Sequence, residues 1–80
     1  MDIKDTILAI TGKSIRQLRK ARGWTLEDLG DAAEVDPSKL SKIERGLINA
    51  EYTTIVKIAI ALGVQLNNVF VIPYSKENAK

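Results

Sequence analysis

The fold class this sequence predicts is all-α, a compact bundle of five short helices in one domain, and three observations carry that reading. Apolar residues recur at helical rather than alternating spacing through most of the chain. Residues that start and stop helices punctuate it, and only short turns fit between them. The length, 80 residues, suffices for one domain. A chain of that size buries only about 60% of the surface it exposes when unfolded, so its elements must share one closely packed core.

The first helix is expected over 14–22. It opens on Ser14, Ile15, Arg16 and Gln17, a capping-box pattern in which the serine hydroxyl accepts the amide three residues on. It stops at Arg22-Gly23, where glycine tolerates the left-handed backbone. Its inner face carries Ile15 and Leu18 together with one cation, Arg19. The second helix has Thr25 as N-cap, acids Glu27 and Asp28 in its first turn, and Trp24 placed to staple onto Leu29. That staple position makes Trp24 structural rather than a stacking platform. Leu26, Leu29, Ala32 and Ala33 form the second helix's apolar stripe.

Only Glu34, Val35 and Asp36 separate it from the third helix, which opens with Asp36 as N-cap and Pro37 at the first helical position, where a missing N–H is harmless. Val35 can staple onto Leu40; Leu40, Ile43 and Leu47 are expected to face inward, and Gly46 to end the helix. The fourth helix, over about 52–62, turns Ile55, Ile58, Ala59 and Leu62 to the core and ends in a Gly63-Val64 cap. A last turn or two follows over 66–70. The stretches 6–11 and 68–72 are rich in β-branched and apolar residues, which leaves two readings open: terminal helical turns, or two short strands that pair. The expected division is therefore an N-terminal extension over 1–13, the domain proper over 14–70, and a C-terminal tail over 71–80.

Composition excludes more than it assigns. Twelve Lys+Arg against ten Asp+Glu leave a formal charge of +2, too small to name a partner. The distribution says more, because Lys13, Arg16, Arg19, Lys20 and Arg22 fall together with no acid among them, and Glu27, Asp28, Asp31, Glu34 and Asp36 follow. One surface can attract phosphate while another repels it. Without Cys there is no disulfide or thiolate metal site, and without His the commonest acid-base group and metal ligand are gone, so neither metal nor cofactor is expected. Asp28, Asp31 and Glu34 cluster loosely, but nothing pairs them with a nucleophile, so catalysis is not expected. The first residues, Met1-Asp2-Ile3-Lys4-Asp5, lack the layout of a signal peptide, and no apolar run approaches the roughly 20 residues of a membrane span. A cytoplasmic protein with no membrane partner is the expectation.

Two helices joined by three residues, the second firmly capped, make the geometry of a helix-turn-helix, whose second helix enters a major groove about 12 Å wide. Such a helix must carry hydrogen-bonding groups outward. Here Ser38, Lys42 and Arg45 lie at i, i+4 and i+7, flanked by Lys39 and Ser41, opposite the Leu40-Ile43-Leu47 face. Lysine and arginine can read guanine O6 and N7, and serine serves base or phosphate. On spacing alone the same stripe is also what a solvated helix face looks like.

The order of four pieces separates the two readings. They are Ile15-Arg16-Gln17-Leu18-Arg19-Lys20, then Gly23-Trp24-Thr25-Leu26-Glu27-Asp28-Leu29, then Leu40-Ser41-Lys42-Ile43-Glu44-Arg45-Gly46, then Ile58-Ala59-Ile60-Ala61-Leu62-Gly63-Val64. Together, over about two-thirds of the chain, they resemble the phage-repressor and Cro type of helix-turn-helix domain. The resemblance implies a five-helix bundle in which the third helix reads the major groove, and dimers on palindromic operators. It implies that Pro37, Ser38, Lys39 and Lys42 face bases and that Arg45 contacts phosphate; Ser41, Arg16 and Lys13 are expected to join Arg45 there. It matches Arg19 and Glu44 to an interior salt bridge, which would account for an arginine on an apolar face. Leu26 stands where the family usually has a DNA-contacting glutamine and cannot donate a hydrogen bond. Gly30 replaces a usual alanine, Glu34 a usual turn glycine, Asn49-Ala50-Glu51 a usual Asn-Pro-Ser, and Gln65 a frequent serine cap.

The function so implied is sequence-specific binding of double-stranded DNA by a transcriptional regulator, a repressor, acting as a homodimer. The competing reading is a protein-interaction module of the antitoxin or coactivator-adaptor type. Ile3, Ile7, Leu8, Ile10, Val69, Phe70, Val71, Ile72 and Tyr74 lie outside the helix-turn-helix core. They are expected to cover its base and to supply the dimer contact.

Overall fold

The first helix starts a full three turns earlier than its capping pattern suggests. In the computed structural model, which describes residues 2–69, α1 runs Ile3–Ala21. Asp2 is its N-cap, accepting the Lys4 amide at 3.0 Å, and Asp5 sits in the first turn, where the helix dipole favours an acid. Ser14 is therefore mid-helix and caps nothing. Its hydroxyl donates instead to the Asn68 carbonyl at 2.9 Å, joining the first helix to the last. Of the two readings for 6–11, the helical one holds. Gly23, in the left-handed region with φ +73°, ends α1.

The remaining helices are α2 Leu26–Ala33, α3 Pro37–Glu44, α4 Tyr52–Leu62 and α5 Leu66–Val69. Among the described residues there is no strand. Thr25 and Asp28 cap α2 reciprocally, each side chain taking the other's amide at 3.0 and 2.9 Å. Gly63, φ +71°, closes α4. The Arg22 guanidinium lies 4.3 Å from the Trp24 ring centroid and donates to the Leu62 carbonyl at 3.1 Å, satisfying one of the acceptors that a helix end leaves open.

Ile15, Leu29, Leu40, Ile58 and Val69 form the fully buried centre, one from each helix, surrounded by Ala33, Val35, Ile43, Ile55, Ala59 and Leu62. Val69 therefore belongs to the monomer core, whereas Ile3 and Ile7 are exposed. Phe70, Val71, Ile72 and Tyr74 lie outside the described residues.

Two inward assignments change. Leu47 is 60% exposed, because the regular helix stops at Glu44 and Gly46, φ +72°, turns the chain before the leucine can follow the stripe. Ala32 is exposed and Gly30 is buried, so the inner arc of α2 runs through Leu29, Gly30 and Ala33. Gly30 compensates for its low helix propensity by close approach: a Cβ there would meet the Val35 carbonyl oxygen at 2.7 Å and the Pro37 ring at 3.1 Å. Glu34 takes the left-handed conformation of the glycine it replaces, φ 59°, at a cost of about 1–2 kcal/mol.

Candidate nucleic-acid interface

The turn between α2 and α3 fixes where the third helix begins. The Val35 amide donates to the Gly30 carbonyl at 3.0 Å, and the buried Val35 side chain anchors the turn. Asp36 then caps α3 by accepting the Ser38 amide at 3.2 Å, while the Pro37 ring rests against Gly30. Pro37 presets the backbone angle of the first turn. Leu40 and Ile43 bury the inner face of α3 against the core.

The inner face also carries Glu44, and its partner is Arg19 of α1. Arg19 Nε donates to Glu44 Oε2 at 2.7 Å and Nη2 to Oε1 at 2.9 Å, the two-pronged geometry in which guanidinium and carboxylate match best. Nη1 donates to the Trp24 carbonyl at 2.7 Å. Both residues are 8% exposed. Hydrogen bonding to Glu44 holds the Arg19 pKa above its ordinary value, against burial, which pulls it down. A cation whose pKa is raised on folding contributes stability below its ordinary value and loses it only as pH rises through the raised one. Arginine therefore gives this tie no pH dependence at working pH.

With one face tied down, α3 presents the other. Ser38, Lys39, Lys42 and Arg45 are exposed, and Pro37 and Ser41 are half-buried. Neither Lys39 nor Lys42 has an ion pair among the described residues, so both ammonium groups are available to an anion or a base edge. Arg45 folds back along the helix end, its Nε donating to the Ser41 carbonyl at 3.3 Å.

Tertiary packing adds what spacing could not. A shallow depression of about 350 Å³ brings Arg16 of α1 and Leu26 of α2 together with Ser41 of α3 and its C-cap Arg45, over the Arg19–Glu44 pair. Because Arg19 neutralises the Glu44 carboxylate, Arg16 and Arg45 leave this depression net positive, as a phosphate site requires. Lys13 is exposed on α1 but does not line it. Leu26 is half-buried at its edge and presents no donor. The Trp24 carbonyl, third acceptor for Arg19, carries no signal in the sequence because it is backbone.

The chain matches known proteins over this same region. A helix-turn-helix family model covers residues 15–68. The HTH-type transcriptional regulator SutR of Escherichia coli is 36% identical over 62 residues, 78% of this chain and 35% of that protein. An HTH-type transcriptional regulator of Mycobacterium tuberculosis is 40% identical over 53 residues, 66% of this chain and 21% of that protein. This chain thus spans about a fifth to a third of the length of these relatives. Among solved structures, the restriction-modification controller protein C.AhdI of Aeromonas hydrophila superposes with a TM-score of 0.77 at 33% identity, covering 79% of this chain and 96% of that one.

Proposed function

This chain belongs to the phage-repressor and Cro type of helix-turn-helix family, a family of transcriptional regulators with a DNA-binding fold, and on that premise we propose that it binds double-stranded DNA sequence-specifically and represses transcription as a homodimer on a palindromic operator. The observation that carries the reading is the state of α3. Its start is fixed by Asp36 and Pro37, its inner face is held by Leu40, Ile43 and Glu44, and its outer face offers cations without an ion pair among the described residues, together with hydroxyls. Pro37, Ser38, Lys39 and Lys42 face the bases in this reading. Arg45, Ser41, Arg16 and Lys13 hold the backbone phosphates. The role is binding rather than catalysis, and the cytoplasm is its place; no helix of the described residues is long and apolar enough to cross a membrane.

A dimer is part of the proposal because one recognition module buries only about 600–1,000 Å² on DNA and reads few base pairs, so two-fold repetition is the usual route to selectivity. Selection of duplexes from a random library is expected to return an inverted repeat with half-site centres about 34–36 Å apart. An enrichment indistinguishable from random, with a second polypeptide co-purifying, would replace this reading by that of a protein-interaction module.

Lys42 stands in the middle of the outward stripe. Lys42→Ala is expected to weaken binding to the selected duplex by about 1–3 kcal/mol and to relax the preference at one base position, while binding to random duplex changes little. Equal weakening on both duplexes at matched salt would move Lys42 from base reading to phosphate contact.

A further inference from the structure

Leu26 is the anomaly of the depression beside α3. Among the described side chains that line it, four are charged and one carries a hydroxyl, whereas Leu26 is apolar. On a rim suited to phosphate this half-buried leucine has neither a hydrogen bond to donate nor a charge to offer. Its position is fixed from two sides. It is the first residue of α2, directly after the Thr25 N-cap whose reciprocal bonds with Asp28 hold that turn, and its inner part packs on the buried core. The outer part is thus placed before anything binds.

What an apolar group can meet at this place is set by its neighbours. Ser38, Ser41 and Arg45 stand at i, i+3 and i+7, along one flank of α3 and its C-cap. Arg45, with Arg16, marks the phosphate end of that flank, and Ser38 the base-reading end. Leu26 shares the depression with Ser41, which lies between them. In the major groove the group that answers an apolar side chain is the C5-methyl of thymine, carried on the backbone side of the base edge. Without such a partner the leucine would strip water from a phosphate and give nothing in return.

We infer that Leu26 is a specificity-determining residue: resting on the DNA reading above, it packs against the C5-methyl of one thymine in each half-site, next to the phosphate held by Arg16 and Arg45. A donor at this position would only have strengthened the grip on the backbone, which carries no sequence information. The leucine adds a preference for thymine over bases that lack the methyl. Because that preference comes from α2, it is separable from whatever the outward face of α3 reads.

Replacing a thymidine by deoxyuridine removes that methyl and nothing else. In the duplex selected from a random library, each thymidine is replaced singly, and Kd is measured for the unaltered full chain, for Leu26→Ala and for Leu26→Gln. One replacement per half-site is expected to weaken the unaltered chain about fourfold, the contribution of one buried methyl group, and to leave both variants unaffected. Each ratio compares two duplexes on the same protein, so a loss of folded fraction in a variant divides out. If Leu26→Ala weakens binding to every duplex while all deoxyuridine effects persist, the leucine rests on deoxyribose, and the inference fails with the DNA reading intact. A selected half-site without thymine overturns it in the same way. If no duplex is selected at all, the DNA reading itself falls, and this inference falls with it.

Discussion

Glu44→Ala is expected to remove about 3–5 kcal/mol of folding stability, read as a lower denaturant midpoint at unchanged slope. The magnitude follows from what the substitution leaves behind. The guanidinium of Arg19 would stay buried with two of its three hydrogen bonds gone, holding only the Trp24 carbonyl. A chain of this length has about 4–12 kcal/mol of stability in total, so the variant would sit near its folding threshold at room temperature. Replacing both partners with apolar residues, Arg19→Met with Glu44→Leu, is expected to lose far less, because no charge is then stranded. That contrast separates the cost of breaking the pair from its net contribution. A loss below about 1 kcal/mol for Glu44→Ala alone would mean that water reaches the pair and that it behaves as a surface ion pair. The tie also has a functional side. It sets the rotation of α3 about its axis, and with it the direction in which Ser38, Lys39 and Lys42 point.

The parts of this fold that sequence pattern predicts are the parts specified locally. Thr25, Asp36 with Pro37, and Gly63 act on amides and carbonyls within a few residues of themselves, so the start of α2, the start of α3 and the end of α4 follow from their order along the chain. The outward face of α3 follows in the same way, because Leu40 and Ile43 fix which side is inside. The beginning of α1 does not. Ser14-Ile15-Arg16-Gln17 has the form of a cap, yet the hydroxyl is committed to a carbonyl 54 residues away, and no local rule weighs that contact. Leu47 fails for a related reason, since continuing the helical count past Gly46 ignores the turn that glycine makes. The depression that gathers Arg16, Leu26, Ser41 and Arg45 from three helices is tertiary from the outset. Lys13 lies only three residues before Arg16 and still does not line it, so membership of a basic cluster does not decide membership of a site.

Gly12→Ala shows how far a local rule and the packed structure can disagree. In an isolated helix the change favours folding by about 1 kcal/mol, because alanine has the higher helix propensity. Here it is expected to destabilise the domain by about 3 kcal/mol, at the upper end of what overpacking normally produces. Gly12 is buried where α1 crosses the last turn of α3, and a Cβ would stand 2.3 Å from the Ile43 oxygen and 2.5 Å from the Glu44 oxygen. Those atoms are backbone, so no side-chain rotation relieves the overlap and one helix must move as a whole. Gly46 allows the same close approach from the other side, where a Cβ would meet the Ala9 Cα at 3.2 Å. Displacing α3 from α1 also lengthens the reach from Arg19 to Glu44, so part of the buried pair's stabilisation is lost with the packing. The measurement is chemical unfolding of Gly12→Ala beside Gln17→Ala, an exposed position on the same helix where the substitution should change little. A midpoint for Gly12→Ala equal to or above that of the unaltered chain would mean that α1 can withdraw from α3 at no cost, and that the close crossing does not hold the third helix in place.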